Sequence, residues 1–96
     1  MALVISQKIS EKLATKHNVS PDEVAQCFAN REGQFLLDPR EEHRSDPPTL
    51  WFIAETNFGR KLKVVFIHKE GNNYLRSAFP PDENELRIYR KYGITA

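Results

Sequence analysis

Cysteine, glycine and long apolar runs are scarce in this sequence of 96 residues, and each scarcity argues against a class of protein. The single cysteine, Cys27, has no partner for an internal disulfide, and its position in a helical pattern predicts a buried, unreactive thiol. The four glycines stand apart, so no glycine-rich phosphate loop is expected. No apolar run reaches the ~18–20 residues that cross a bilayer, and residues 1–5 lack the positive leader of a secretory signal. We therefore expect a cytoplasmic protein with no membrane partner.

Charge of both signs is present but unevenly distributed along the chain. The formal net charge is +1, yet residues 60–69 and 87–91 carry only basic charges, whereas acidic residues gather in 38–46 and 82–85. A chain of this length holds one domain with a modest core, which we place at residues 1–96. Local basic stretches on a nearly neutral chain predict an anion-binding surface rather than a general coat for nucleic acid.

Periodicity and capping signals predict two helices near the N terminus. An apolar residue at every fourth position predicts a first helix over residues 6–17, and the same spacing on another face holds Lys8, Lys12 and Lys16. This lysine row is interpreted either as a solvated face or as an edge that contacts phosphate. The second helix begins with an N-cap, a proline and a capping-box glutamate, which are Ser20, Pro21 and Glu23. We expect it to end between Asn30 and Gly33.

Period-two runs in the rest of the chain predict an antiparallel sheet of three or four strands, so the expected fold class is α+β. The strands are expected at 34–37, 50–57, 60–68 and 74–79, with turns at 57–59 and 70–73. Residues 38–49, which contain three prolines, are expected to form a long polar loop. A closing helix is predicted over residues 82–92, with Gly93 as its C-cap. The core is expected to bury Trp51, Phe66 and Leu86.

Metal and cofactor binding have no support in the residue pattern. The three histidines, His17, His43 and His68, are far apart, and no cysteine joins them at ligand spacing. The acidic residues around His43 could chelate an ion, but we expect them to form a solvated loop. No nucleophile-elbow motif points to serine catalysis.

A set of basic and hydroxyl side chains remains on the last two predicted strands and the closing helix. It comprises Arg60, Lys61, Lys63, Arg76, Ser77, Tyr89, Arg90 and Lys91. Cleaving an RNA phosphodiester without a metal requires cations near the phosphorus, a base for the 2′-hydroxyl and an acid for the leaving oxygen. Arginine and lysine supply the cations, and histidine, tyrosine or a perturbed lysine supplies the proton transfers. The alternative interpretation is solubilising surface charge, and composition alone does not decide between the two.

Several short segments resemble the BrnT family of bacterial type II toxins, which have a RelE-like ribonuclease fold. They are residues 16–20 with Phe28, Glu42 with Arg44, residues 58–66, Ser77-Ala78, and Glu85 with Tyr89. Two positions depart from the family pattern, because Phe79 replaces the arginine after Ser-Ala and Asn18 replaces a glycine. Residues 76–80 are equally similar to the strand ending of RelE- and colicin-like ribonucleases, in which the strand hydroxyl and a nearby basic residue belong to the active site.

The resemblance implies a metal-independent endoribonuclease of a toxin–antitoxin system, with RNA as substrate, a small antitoxin protein as partner and no cofactor. The catalytic residues would be Arg60, Lys63 and Arg76 for the phosphate, His68 or Tyr89 for proton transfer, and Ser77 for orientation. The RNA-binding residues would be Lys8, Lys12, Lys16, Lys61 and Arg90. The alternative is a non-catalytic RNA- or protein-binding module on the same fold. The face that carries Arg76 stays open, because a one-residue slip of the hairpin would move it to the other side of the sheet.

Overall fold

Helices lie on both faces of a five-stranded mixed sheet in the computed structural model, which describes residues 2–38 and 47–94. In chain order the elements are β1 (Ala2–Val4), α1 (Gln7–Lys12), α2 (Pro21–Asn30), β2 (Leu36–Leu37), β3 (Thr49–Glu55), β4 (Lys61–Lys69), β5 (Asn72–Phe79) and α3 (Glu83–Tyr89). Wider π-helical turns continue α1 over Leu13–His17 and α3 over Arg90–Ile94. The predicted α+β class is confirmed.

Local signals begin and end the first two helices, and the signals at the start of the second helix are those that the sequence predicts. The Ser6 hydroxyl accepts a hydrogen bond from the backbone N–H of Ile9 at 3.2 Å, which caps α1. The first helical stretch ends at Asn18, whose φ of 52° lies in the left-handed region that asparagine tolerates. Ser20 and Glu23 make both bonds of a capping box at the start of α2, at 3.1 and 3.2 Å. These two helix predictions are confirmed.

The sheet contains one strand that the sequence did not predict. Its order is β1-β5-β4-β3-β2, with β1 parallel to β5 and the other neighbours antiparallel. The prediction of a purely antiparallel sheet of three or four strands was therefore wrong. Strand β1 is only three residues long, which is too short for a period-two pattern, and its partner lies 70 residues further along the chain at Asn72. Such pairing leaves no local signal.

Alternation along β4 separates two faces of the sheet. Leu62, Val64 and Phe66 are fully buried and face α2, whose Phe28 ring lies 5.1 Å from the Phe66 ring. Lys63 faces the other way, and its Nζ lies 2.7 Å from the Glu85 carboxylate of α3. Trp51 and Phe66 are buried as predicted, whereas Leu86 is half-buried against the core. Two faces covered by helices explain why strands β3 and β4 are apolar at consecutive positions.

Gly93 does not end the last helix, which corrects the sequence-based prediction. It lies inside the segment Arg90–Ile94, is buried, and is not in the left-handed backbone region. A Cβ at this position would lie 2.4 Å from Cε1 of the Tyr89 ring. Glycine is thus required here because the backbone passes directly over an aromatic ring. Close packing against the Tyr89 ring, and not a left-handed turn at a helix end, explains why glycine occupies position 93.

Part of the predicted loop lies outside the described residues. Residues 39–46, including Glu42 and Arg44 of the resemblance and the acidic residues around His43, belong to this part. Within 2–38 and 47–94, no three His, Cys, Asp or Glu side chains come together as a metal site would require. No helix in the same ranges is long and apolar enough to span a bilayer.

Cys27 is expected to resist alkylation in the folded protein. Its side chain is fully buried in α2, and its thiol donates a hydrogen bond to the carbonyl oxygen of Ala54 at 3.6 Å. Burial, together with the nearby Glu23 charge, raises the pKa of the thiol from 9.0 to about 11. Labelling by iodoacetamide, followed by mass spectrometry, should therefore be limited by unfolding of the protein.

The same pKa shift gives a pH dependence of stability. The raised pKa stabilises the folded state fully below pH 9.0, and this contribution is lost as the pH rises towards about 11. The Cys27→Ala variant should lack this part of the alkaline loss of stability. In the iodoacetamide experiment, rapid labelling of the folded protein would contradict the burial of the Cys27 thiol.

Candidate functional site

A cleft of about 770 Å³ opens where the end of α2, the end of β3 and the helix α3 meet. We call it the α2–α3 cleft. Three residues predicted from the sequence line it, namely Lys61, Tyr89 and Arg90. Arg31 and Glu55 also line it and were not predicted. The cleft is thus the place where the structure brings predicted site residues together.

Glu55 and Lys61 form the sheet side of the cleft. Glu55 is the last residue of β3 and Lys61 is the first residue of β4, and the two lie directly opposite each other in the antiparallel register. Both side chains are exposed. Directly opposed residues have Cβ atoms about 4.5–5.5 Å apart. The sheet side of the cleft therefore carries one acidic and one basic side chain at opposed positions.

Arg31 brings a cation from the helical side of the cleft. It directly follows α2 and donates a hydrogen bond from Nη1 to the carbonyl oxygen of Gly33. Its guanidinium carbon lies 4.1 Å from the centroid of the Phe35 ring, in a cation–π contact. These contacts orient the guanidinium, which has five N–H donors in all. Arg90, at the start of the segment that follows α3, brings another guanidinium to the cleft.

Tyr89 forms a wall of the cleft and is buried, with only 2% of its surface exposed. Its hydroxyl donates a hydrogen bond to the carbonyl oxygen of Gln34 at 2.8 Å, and its ring packs against Trp51 at a centroid distance of 5.7 Å. Burial raises the pKa of the phenol, against the opposing effects of Arg31 and the backbone N–H of Ile53. Tyr89 thus pins the segment before β2 to the sheet and stays protonated.

Arg60, predicted as catalytic, connects the two N-terminal helices to the sheet. Its guanidinium donates to the carbonyl oxygens of His17 and Asn18 at 2.9 and 2.7 Å. It also forms an ion pair with Glu23 at 3.1 Å. Burial raises the pKa of the Glu23 carboxyl, but hydrogen bonds from the Ser20 backbone and from Arg60 outweigh burial and hold it below its ordinary value of 4.5.

The Arg60→Ala substitution is expected to destabilise the protein by about 2 kcal/mol at pH 7, because charge-assisted hydrogen bonds to two carbonyls are lost. The lowered pKa of Glu23 stabilises the folded state above pH 4.5, and this contribution is lost as the pH falls through the folded-state pKa. Thermal melts should therefore show a smaller difference between variant and parent in acid. The matched control is Arg76→Ala at an exposed arginine, which should change stability little. Equal melting temperatures for both variants would contradict the role of Arg60.

Lys63, also predicted as catalytic, points towards α3 and is largely buried. Its Nζ lies 2.7 Å from a carboxylate oxygen of Glu85 and 4.5 Å from the centroid of the Trp51 ring. The other oxygen of Glu85 accepts a hydrogen bond from the backbone N–H of Asp82, which caps α3. Lys63 lines a separate groove of about 530 Å³ between α3 and β2. Its charge is paired within the protein.

The other predicted residues lie outside the α2–α3 cleft. Ser77 of β5 pairs with Val65 of β4, and Arg76 is the extra residue of a bulge beside this pair. Val65 lies about 13 Å along β4 from Lys61, at about 3.3 Å per residue. His68 lies at the far end of β4, about 23 Å from Lys61 by the same rise, and is hydrogen-bonded to Asn73 at 2.7 Å. The first helix carries three exposed lysines, Lys8, Lys12 and Lys16. None of these residues lines the cleft.

The two cleft residues that were not predicted, Glu55 and Arg31, differ in how far the sequence could have revealed them. Glu55 and Lys61 lie almost symmetrically about the predicted turn at 57–59, so a hairpin register could have paired them. Arg31 carries no comparable signal. Its position depends on how α2 packs against the sheet.

No protein-family model matches the sequence, and no curated protein is significantly similar to it. The resemblance to BrnT toxins therefore depends on the short segments described above.

Proposed function

We propose that this chain is a toxin-like endoribonuclease that binds RNA in the α2–α3 cleft and cleaves it without a metal ion. The observation that carries the proposal is the direct opposition of Glu55 and Lys61 at a cleft that Arg31 and Arg90 also line. A phosphodiester needs cations around its phosphorus and a proton acceptor beside its 2′-hydroxyl. This cleft offers both kinds of group within a small volume.

In the proposed reaction, the Glu55 carboxylate accepts the proton of the 2′-hydroxyl as the 2′-oxygen attacks phosphorus. The bond from phosphorus to the 5′-oxygen breaks, and the Lys61 ammonium gives a proton to that oxygen. The products are a 2′,3′-cyclic phosphate and a 5′-hydroxyl, and solvent returns Glu55 and Lys61 to their starting states. Arg31 and Arg90 stabilise the additional negative charge at phosphorus in the transition state.

The proposal replaces several roles implied by the resemblance. Tyr89 acts as a positioning residue because it is buried and bonded to Gln34, and Arg60 and Lys63 hold the fold together. Arg76, Ser77 and His68 lie too far along the sheet to touch a phosphate held at Lys61. The proposed partner, a small antitoxin protein, follows from the resemblance alone.

A second function, RNA binding without cleavage, is favoured by one observation. Arg60, Lys63 and Tyr89 are all engaged in contacts within the protein, so half of the six predicted catalytic residues serve the fold. A cleft with cations and no effective proton transfer would hold RNA and leave it intact. The two functions are separated by whether RNA is cut.

RNA cleavage by the purified protein is expected to continue in EDTA, because arginine and lysine side chains supply the cations of the proposed reaction. The measurement is the length distribution of a defined RNA, with cyclic phosphate ends identified by mass spectrometry. Controlled expression in a bacterial host should in parallel slow growth and fragment bulk RNA. Loss of cleavage in EDTA with rescue by magnesium would contradict the mechanism, and intact RNA with normal growth would leave only the binding function.

A further inference from the structure

Phe58 is the tip of the β3–β4 turn, and its side chain is 95% exposed. Single exposed apolar residues are common and need no explanation on their own. This ring differs because the turn that presents it is rigid and lies at the end of the α2–α3 cleft. Its neighbour Asn57 lines the cleft, and so does Lys61, three residues later.

The turn is held by its own hydrogen bonds. The Thr56 hydroxyl is buried and accepts bonds from the backbone N–H groups of Phe58 at 3.3 Å and Arg60 at 3.1 Å. The N–H of Gly59 donates to the carbonyl oxygen of Thr56 at 3.0 Å, and Gly59 has the positive φ of 84° that favours glycine. The backbone on both sides of Phe58 is therefore fixed before any ligand arrives.

Helix α2 also holds the turn. The backbone N–H of Asn57 donates to the Gln26 side chain at 3.0 Å, and the Asn30 amide donates to the Asn57 side chain at the same distance. The turn therefore cannot fold back to cover the ring without breaking these bonds. An aromatic ring that is fixed in water loses little conformational entropy when a flat partner stacks on it.

We infer that Phe58 stacks on an unpaired nucleobase of RNA whose phosphate lies in the α2–α3 cleft, so that the substrate is single-stranded; this rests on the proposed function. The five residues 56–60 contain one large apolar side chain, which suits one base face better than the broad apolar patch of a protein interface. Bases within a duplex already stack on each other and offer no free face. Lys61 and Arg31, which line the cleft, would bind phosphates of the same RNA strand.

Fluorescence anisotropy with a labelled single-stranded RNA of about ten nucleotides tests the inference. A 2′-O-methyl backbone prevents cleavage during the measurement. Phe58→Ala removes the ring and should weaken binding about tenfold. Phe58→Leu should weaken it equally, because leucine keeps an apolar surface but has no ring to stack on a base. The matched control is Tyr74→Ala, at an exposed aromatic near the other end of the sheet, which should bind like the parent.

A Phe58→Trp variant gives a direct signal of stacking. It should bind RNA as tightly as the parent, and its added fluorescence should be quenched by RNA, whereas the native Trp51 is buried. Equal affinity of parent and Phe58→Ala, or equal affinity for a duplex of the same sequence, would overturn the inference and leave RNA binding intact. Absence of binding to either RNA by the parent would overturn the proposed function as well.

Discussion

The Lys61→Ala variant is expected to cleave RNA about 10²–10⁴-fold more slowly than the parent, because it removes the proposed proton donor to the leaving 5′-oxygen. Lys61 is exposed at the start of β4, so its loss should leave the melting temperature unchanged. The matched control is Lys69→Ala, an exposed lysine at the other end of the same strand. The control should retain full activity.

The Glu55→Gln variant tests the other half of the pair. Glutamine has nearly the same shape but cannot accept the 2′-hydroxyl proton, so cleavage should fall about 10²–10⁴-fold while RNA affinity is retained. If Lys61→Ala cleaves as fast as Lys69→Ala, the α2–α3 cleft is not the site of reaction. If the parent cleaves nothing but Lys61→Ala binds RNA less tightly, the chain is a binding module.

The Gly93→Ala variant is expected to lose about 1–3 kcal/mol of stability through overpacking. The added Cβ would lie 2.4 and 2.6 Å from two atoms of the Tyr89 ring. The ring cannot move aside, because its hydroxyl is bonded to Gln34 and its face packs against Trp51. For a domain of this size each kcal/mol lowers the melting temperature by about 4–8 °C, which calorimetry resolves easily.

A double-mutant cycle with Tyr89→Leu identifies the cause of this loss. The second substitution removes the ring that the added methyl group meets, so the two changes together should cost less than the sum of their separate effects. Strict additivity would show that Gly93 is needed for another reason. Because Tyr89 lines the cleft, the same variants should also lower RNA affinity if this wall of the cleft shifts.

The candidate site shows how much residue type reveals about the place of a side chain in the fold. Lys61 and Arg90 were predicted to contact RNA from their charge, and both line the cleft. Arg60, Lys63 and Tyr89 were predicted as catalytic from the same kind of signal, yet they bind helix ends, a carboxylate and a backbone carbonyl. Residue type alone does not show which charged side chains hold distant parts of the fold together.

Features that depend on neighbours within a few residues could be predicted from the sequence. The capping box at Ser20, the helix of residues 21–30, the buried face of β4 and the two hairpin turns all follow from local hydrogen bonding and alternation. Each of these signals is complete within one turn of helix or one strand. The burial of Cys27 follows in the same way.

Features that join distant parts of the chain could not be predicted in this way. The pairing of β1 with β5, the bulge at Arg76 and the meeting of Arg31 with Glu55 and Lys61 each depend on packing between elements. A strand of three residues or a single bulge changes no local pattern, but it sets which face a side chain occupies. The partners of a charged side chain, and therefore its role, become known only when those elements are in contact.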